Sequence, residues 1–142
     1  MKIRDVMTPR VIRIAPQESV EVAARTLAQY NIGILPVCDH RDKLCGLVTD
    51  RDLVTRCVAA NLSPAETPVC HVMTKQVTTA GPDMETAVAA GIMGRCQVRR
   101  LPVVENGRLC GMVSLADLAR QTLSSQEAGA ALTDISGNLS PR

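Results

Sequence analysis

The sequence predicts an α+β fold made of two tandem β-α-β-β-α repeats. The chain matches itself at an offset of 66 residues, which aligns residues 6–8 with 72–74 and residues 35–37 with 101–103. After one gap the offset becomes 65, and residues 44–46 align with 109–111. The gap falls where a turn is expected, and within each copy the apolar residues alternate between helical and extended spacing. Each copy therefore contains strand, helix, strand, turn, strand and helix.

In the first copy, Ser19 is a candidate N-cap for a helix over residues 20–30, because Val20, Ala23 and Leu27 share one helical face. Residues 32–37 form an apolar run that predicts a strand, and the polar residues 39–43 predict a turn. Residues 44–49 complete the hairpin, and residues 51–60 return to helical spacing.

The second copy predicts a helix over residues 84–94 and strands over 98–104 and 109–114. The turn between those strands contains Asn106 and Gly107, which both tolerate positive φ and are a strong hairpin signal.

The repeats divide the chain into repeat 1 (1–62), a linker (63–68), repeat 2 (69–122) and a polar tail (123–142), in which residues 128–135 are a candidate short helix. A unit of about 60 residues buries little apolar surface alone. We therefore expect the two repeats to pack sheet on sheet about a pseudo-twofold axis.

Composition excludes several classes of function. The 142 residues carry a net charge of +2, and Tyr30 is the only aromatic residue, so base stacking and phosphate tracking on a nucleic acid are not expected. No apolar run approaches the roughly 18 residues of a membrane span, and the charged first residues do not resemble a secretory signal. We expect a cytoplasmic protein whose six cysteines are reduced, mostly buried small hydrophobes.

The ordered set of motifs resembles the cystathionine-β-synthase (CBS) domain, and it occurs twice. The first copy carries Val6-Met7-Thr8, then 32–37 (IGILPV), then 46–53 (GLVTDRDL); the second carries Val72-Met73-Thr74, 101–104 (LPVV) and 111–118 (GMVSLADL). The chain is therefore similar to a small stand-alone tandem CBS pair, also called a Bateman module.

The resemblance implies a regulatory sensor that binds AMP, ADP, ATP or another adenosyl compound in clefts between the repeats. It also implies a homodimer that acts on an unidentified protein partner. We expect no catalytic cofactor and no metal, and since no catalytic constellation is visible, we expect no enzyme activity.

In this family a Ser or Thr and an Asp three residues later contact the ligand, and Thr49 with Asp52 and Ser114 with Asp117 match that motif. A carboxylate can accept both ribose hydroxyls, and the start of a helix favours a phosphate. The cleft of Thr49 and Asp52 is expected to use Thr74, Val77, Thr79, Val98, Arg99 and Arg100, and ranks first because Arg100 suits a phosphate. The cleft of Ser114 and Asp117 is expected to use Thr8, Val11, Arg13, Ile32, Gly33 and Ile34.

Three alternatives stay open. Thr49 and Ser114 are also plausible simple N-caps, and the two aspartates need no ligand in the first turn of a helix. A second interpretation is a ligand-free dimerisation scaffold with vestigial clefts, which is favoured by the lack of a counterpart to Arg100 in the cleft of Ser114 and Asp117. A third interpretation is a redox or metal-responsive switch that uses the six cysteines.

Overall fold

Two hydrophobic cores organise residues 1–120, the part of the chain that this computed structural model describes. One core belongs to residues Ile12–Val77, called here the first-repeat unit. The other belongs to residues 1–11 and 78–120, called here the second-repeat unit. The predicted tail at 123–142, with its candidate helix at 128–135, lies outside the described residues.

The helices and strands follow the predicted order with one exception: the strand predicted before the helix of the second copy is wrong, because Thr74 and Ala80 form only isolated bridges there. In chain order they are β1 (Thr8–Pro9), α1 (Val20–Tyr30), β2 (Ile34–Cys38), β3 (Leu44–Thr49), α2 (Asp50–Leu53), α3 (Thr86–Cys96), β4 (Arg100–Glu105), β5 (Arg108–Ser114) and α4 (Leu115–Ala119). Short 3₁₀ turns cover Ile3–Asp5 and Val69–His71, and a π-helical segment covers Val54–Val58. The first-repeat unit contains the antiparallel pair β2-β3, and the second-repeat unit contains a sheet in the order β1-β5-β4. The predicted α+β class with two sheets is confirmed.

Helix α1 begins and ends where the sequence predicts. The Ser19 hydroxyl accepts a hydrogen bond from the Val22 backbone N–H at 3.1 Å, so the predicted N-cap is confirmed. Helix α3 lies two residues later than predicted. Its N-cap residue, Glu85, makes no side-chain capping bond, so the sequence carries no capping signal at this start.

The helix predicted over residues 51–60 is present from Asp50 to Val58, but only its first turn is α-helical. The α-helix ends at Leu53, and the backbone widens into a π-helical segment in which the Ala59 N–H donates to the Val54 carbonyl. In this segment the Arg56 guanidinium donates to the carbonyls of Val72 and Met73, at 3.2 and 3.1 Å. Periodicity cannot predict these contacts, because they join residues that are distant in sequence.

The two hairpins turn by different chemistry. In the second, Asn106 and Gly107 adopt φ of 54° and 80°, as predicted. In the first, the Asp39 carboxylate accepts hydrogen bonds from the N–H groups of Arg41 and Lys43, at 2.8 and 3.0 Å. These backbone bonds lower the pKa of Asp39.

Each unit contains the entry segment of the other sequence repeat. Ile3, at the start of repeat 1, is fully buried in the core of the second-repeat unit. Its sequence counterpart Val69 is fully buried in the core of the first-repeat unit. The compact units therefore exchange their entry segments relative to the sequence repeats.

In each hairpin, a glycine allows the backbone of the exchanged segment to pack closely against the strand. In the first-repeat unit, Leu47 and Thr74 exchange backbone hydrogen bonds of 3.0 and 2.8 Å beside Gly46. A Cβ at Gly46 would lie 2.5 Å from the Thr74 carbonyl oxygen, and a Cβ at Gly111 would lie 2.7 Å from that of Thr8. No side chain fits at either glycine unless the backbone shifts.

We predict that Gly46→Ala lowers the free energy of unfolding by about 1–3 kcal/mol, because the added methyl group displaces the Thr74 backbone. Urea unfolding followed by circular dichroism measures the change. Gly81→Ala is the matched control, because a Cβ there meets nothing within 4 Å. Equal stability of Gly46→Ala and the wild type would contradict the assigned role of the glycine.

Candidate functional site

Thr49 and Asp52 form a reciprocal capping box at the start of α2. The Asp52 N–H donates to the Thr49 hydroxyl at 3.1 Å, and the Thr49 N–H donates to Asp52 Oδ2 at 3.0 Å. Asp52 is 8% exposed, so its carboxylate is held in one place by the fold. The predicted capping role of Thr49 is therefore present, and Asp52 shares it.

The Asp52 carboxylate keeps acceptor capacity for a ligand. An ionised carboxylate offers about four lone-pair sites, and the capping bond uses one of them. Oδ1 lies 3.8 Å from Arg56 Nε, while the terminal nitrogen of the same guanidinium is directed to backbone carbonyls. The box can therefore cap the helix and accept hydroxyl donors at the same time.

Ser114 and Asp117 repeat this geometry at the start of α4. The Asp117 N–H donates to the Ser114 hydroxyl at 3.0 Å, and the Ser114 N–H donates to Asp117 Oδ2 at 2.8 Å. Arg120 forms an ion pair with Asp117 Oδ1. The two units thus present the same hydroxyl and carboxylate pair on the same backbone.

The predicted site residues divide equally between the units. The first-repeat unit contains Arg13, Ile32, Gly33, Ile34, Thr49, Asp52, Thr74 and Val77. The second-repeat unit contains Thr8, Val11, Thr79, Val98, Arg99, Arg100, Ser114 and Asp117. Asp52 is buried, and the others are half-buried or exposed.

Hairpin register brings together residues that the sequence prediction assigned to different clefts. Ile34 lies opposite Thr49 in the β2-β3 pair, and Arg100 lies opposite Ser114 in the β4-β5 pair. Directly opposite residues share a face of the hairpin, with Cβ atoms about 5 Å apart. The basic strand residues are thus neighbours of Ser114 within one unit. Their predicted action with Thr49 and Asp52 stays a prediction.

Two side chains add information that the sequence did not provide. Arg13, which is predicted to belong to the cleft of Ser114 and Asp117, donates to Asp42 Oδ1 at 2.8 Å and so forms an ion pair within the first-repeat unit. Asp50, which the sequence prediction passed over, is exposed and lies beside Gly33. The only signal for Asp50 was its position directly after Thr49.

A cavity of about 320 Å³ opens in the first-repeat unit, away from the capping box. It is lined by Gln17, Ser19, Ala65, Glu66, Thr67, Pro68 and Cys70. None of these is a predicted site residue, so the cavity contributes nothing to the candidate site.

The cysteines are free thiols with different environments. Cys38 and Cys57 are buried, three others are half-buried, and Cys96 is exposed. The expectation of mostly buried cysteines is therefore wrong, and the departure is largest at Cys96. Cys96 ends α3 on the helix surface, a position that depends on where the helix stops. Burial raises the pKa of Cys38 to about 11 and also raises the pKa of Cys110. Within residues 1–120, no group of three or more His, Cys, Asp and Glu side chains is arranged to hold a metal ion.

Comparison with known proteins identifies the class. The CBS domain family model matches residues 3–59 and 69–123, so the chain belongs to the CBS-domain family and is a tandem CBS pair. The CBS domain-containing protein YhcV of Bacillus subtilis is 37% identical over 134 residues, which is 94% of each chain.

Solved structures of CBS pairs share the fold. Hypoxic Response Protein I, crystallised with two coordinated zinc ions, aligns with a TM-score of 0.78 and 32% identity over 84% of this chain and 98% of its own. CBSX2 in complex with AMP aligns with a TM-score of 0.74 and 27% identity, over 88% of this chain and 98% of its own. The CBS pair of MJ0100, in complex with 5′-methylthioadenosine and S-adenosylmethionine, aligns with a TM-score of 0.73 and 28% identity. The alignment covers 84% of this chain and 94% of that chain. The fold is that of a regulatory ligand-binding module.

The search for membrane spans finds, within residues 1–120, no helix with the length and apolar character to cross a bilayer.

We predict that Cys38 makes the stability of the protein depend on alkaline pH. An unfolded thiol ionises near pH 8.5, whereas folded Cys38 keeps its proton until about pH 11. Between these values the unfolded chain binds fewer protons, so the free energy of unfolding falls as pH rises, by up to about 1.4 kcal/mol per pH unit, and this contribution is fully present below pH 8.5.

Urea unfolding of the wild type and Cys38→Ala between pH 8 and 11 measures this contribution as the difference between the two slopes. Cys96→Ser is the control, because that thiol is exposed, and it is expected to keep the wild-type slope. Parallel curves for the wild type and Cys38→Ala would show that Cys38 ionises normally in the folded state.

Proposed function

We propose that this protein is a regulatory module that binds adenine nucleotides or related adenosyl compounds without transforming them. The observation that carries the proposal is the duplicated box of hydroxyl and carboxylate, in which Asp52 and Asp117 are held by the fold and keep free acceptor capacity. The CBS pairs that bind AMP, and 5′-methylthioadenosine with S-adenosylmethionine, support the ligand class.

Each part of the box suits one part of such a ligand. The carboxylate accepts both ribose hydroxyls, which are donors in a fixed pair. The Thr49 and Ser114 hydroxyls accept from the helix backbone and still have a proton to donate to a phosphate or ribose oxygen. Because Tyr30 is the only aromatic side chain, adenine packs against aliphatic residues such as Ile34 and Val98.

The strand residues complete the assignment. Arg100 is exposed and lies opposite Ser114, where its guanidinium can form paired hydrogen bonds with phosphate oxygens. Thr8 pairs with Met112 on the neighbouring strand, and Thr74 with Leu47, so a threonine flanks each box. The completion of each site by residues from the other repeat stays a prediction, as do the homodimer, the protein partner and the cytoplasmic location.

A ligand-free dimerisation scaffold is the second candidate. One observation favours it: each capping box is satisfied within its own helix start, so neither aspartate requires a ligand to explain its position. The scaffold predicts a protein that is indifferent to every nucleotide.

We predict that thermal unfolding distinguishes the two candidates. A ligand at 100 times its dissociation constant adds about 2.7 kcal/mol, which raises the melting temperature by several degrees in a protein of this size. The panel is AMP, ADP, ATP, NAD and S-adenosylmethionine at millimolar concentration, and guanosine monophosphate is the control for base selectivity. A selective rise with an adenosyl compound supports the sensor, and a flat panel supports the scaffold.

We also predict that Asp52→Asn and Asp117→Asn together weaken adenosyl binding at least tenfold. The amide oxygen can still accept the capping N–H but cannot accept both ribose hydroxyls, and each hydrogen bond to a charged group contributes roughly 1.5–3 kcal/mol. Isothermal titration calorimetry measures the affinity.

Ser19→Ala is the matched control, because it removes the cap of α1 and is expected to lower stability by about 1 kcal/mol without changing affinity. Unchanged affinity in the double Asp→Asn variant would remove both aspartates from the site.

A further inference from the structure

The two units differ in charge at equivalent backbone positions beside the capping box. In the first-repeat unit the Asp50 N–H donates to the Gly33 carbonyl at 3.1 Å, and in the second the Leu115 N–H donates to the Arg99 carbonyl at 2.8 Å. Asp50 therefore corresponds to Leu115, and Gly33 corresponds to Arg99. Each pair differs by one full charge: Asp50 is negative where Leu115 is neutral, and Gly33 is neutral where Arg99 is positive.

In the first-repeat unit a carboxylate, that of Asp50, lies beside the capping box. Asp50 is exposed, and a Cβ at Gly33 would lie 3.6 Å from its Oδ2. The Asp50 Oδ1 accepts the Arg51 N–H at 2.8 Å, which fixes the carboxylate near the glycine. Ile34, the next residue of the strand, contributes no charge opposite Thr49.

In the second-repeat unit the same surroundings are basic. Arg99 and Arg100 are both exposed, and Leu115 is buried in the core, so no carboxylate replaces Asp50. Arg51 is the remaining charge at these positions in the first-repeat unit, and its counterpart is Ala116. The four positions 33, 34, 50 and 51 thus sum to zero, and positions 99, 100, 115 and 116 sum to +2.

We infer that the two capping boxes bind different classes of adenosyl ligand, an inference that rests on the proposed function. The box of Ser114 and Asp117 binds a phosphorylated adenosine through Arg99 and Arg100. The box of Thr49 and Asp52 binds an adenosine whose 5′ substituent is neutral or cationic. Asp50 is the residue that determines this specificity, because its carboxylate repels the phosphate at the place where the other unit offers a guanidinium.

Calorimetry with two named probes, AMP and S-adenosylmethionine, tests the inference on the full chain. The wild type is expected to bind one AMP and one S-adenosylmethionine per chain, and saturation with one is expected to leave a site for the other. Arg100→Ala is expected to weaken AMP at least tenfold and to leave S-adenosylmethionine within twofold.

The decisive variant exchanges the charge of the first-repeat unit. Gly33→Arg combined with Asp50→Asn is expected to raise the AMP stoichiometry from one to two per chain. The new side chain at position 33 meets only ordinary contacts at Asp50. Asp50→Asn by itself is expected to raise the affinity of the Thr49 and Asp52 box for AMP at least tenfold. Glu18→Gln, which removes another exposed carboxylate of the same unit, is the charge control and is expected to leave the affinity for both ligands unchanged.

Two outcomes overturn the inference and leave the proposed function standing: two equal AMP sites in the wild type, or competition of AMP and S-adenosylmethionine for one site. An unchanged AMP stoichiometry and affinity in both Asp50 variants also overturns it. Absence of binding by every adenosyl compound defeats the proposed function itself, and the inference with it.

Discussion

The backbone contact between Gly46 and Thr74, and its counterpart between Gly111 and Thr8, holds each entry segment against the hairpin of the other sequence repeat. A side chain at either glycine would overlap a carbonyl oxygen, so the contact requires the absence of a Cβ. This contact accompanies the burial of Ile3 in the core formed mainly by repeat 2 and of Val69 in the core formed mainly by repeat 1. Because each unit is completed by the other repeat, neither sequence repeat contains a whole core.

The capping boxes connect this architecture to chemistry. A helix that starts directly after a strand leaves backbone N–H groups unpaired, and the motif supplies a hydroxyl and a carboxylate to satisfy them. The same two groups can still accept further hydrogen bonds, since each has more acceptor sites than the cap uses. The interpretation as caps and the interpretation as ligand contacts therefore describe one arrangement, and a structural role at Thr49 or Ser114 does not count against a functional one.

The two units share a local backbone arrangement beside the capping box, but their charges there differ. The equivalent hydrogen bonds from Asp50 to Gly33 and from Leu115 to Arg99 show that the local geometry is kept while the side chains change. Leu115 also fills the core, whereas Asp50 faces solvent, so the two positions now serve different purposes. Two sites with one shape and different charge would let a single small chain respond to two related ligands.

Local chemistry was readable from the sequence by itself. Helix α1 with its Ser19 cap and the Asn106-Gly107 turn each depend on residues close together in the chain, and the capping motif lies within four residues. The repeat and the α+β class followed from comparing such local patterns between the two copies. Tertiary structure decided what depends on distant contacts: the exchange of entry segments, the π-helical segment around Arg56, the exposure of Cys96 and the pairing of Arg100 with Ser114. The sequence could not show these, because an offset between copies identifies equivalent residues but does not say which of them become neighbours.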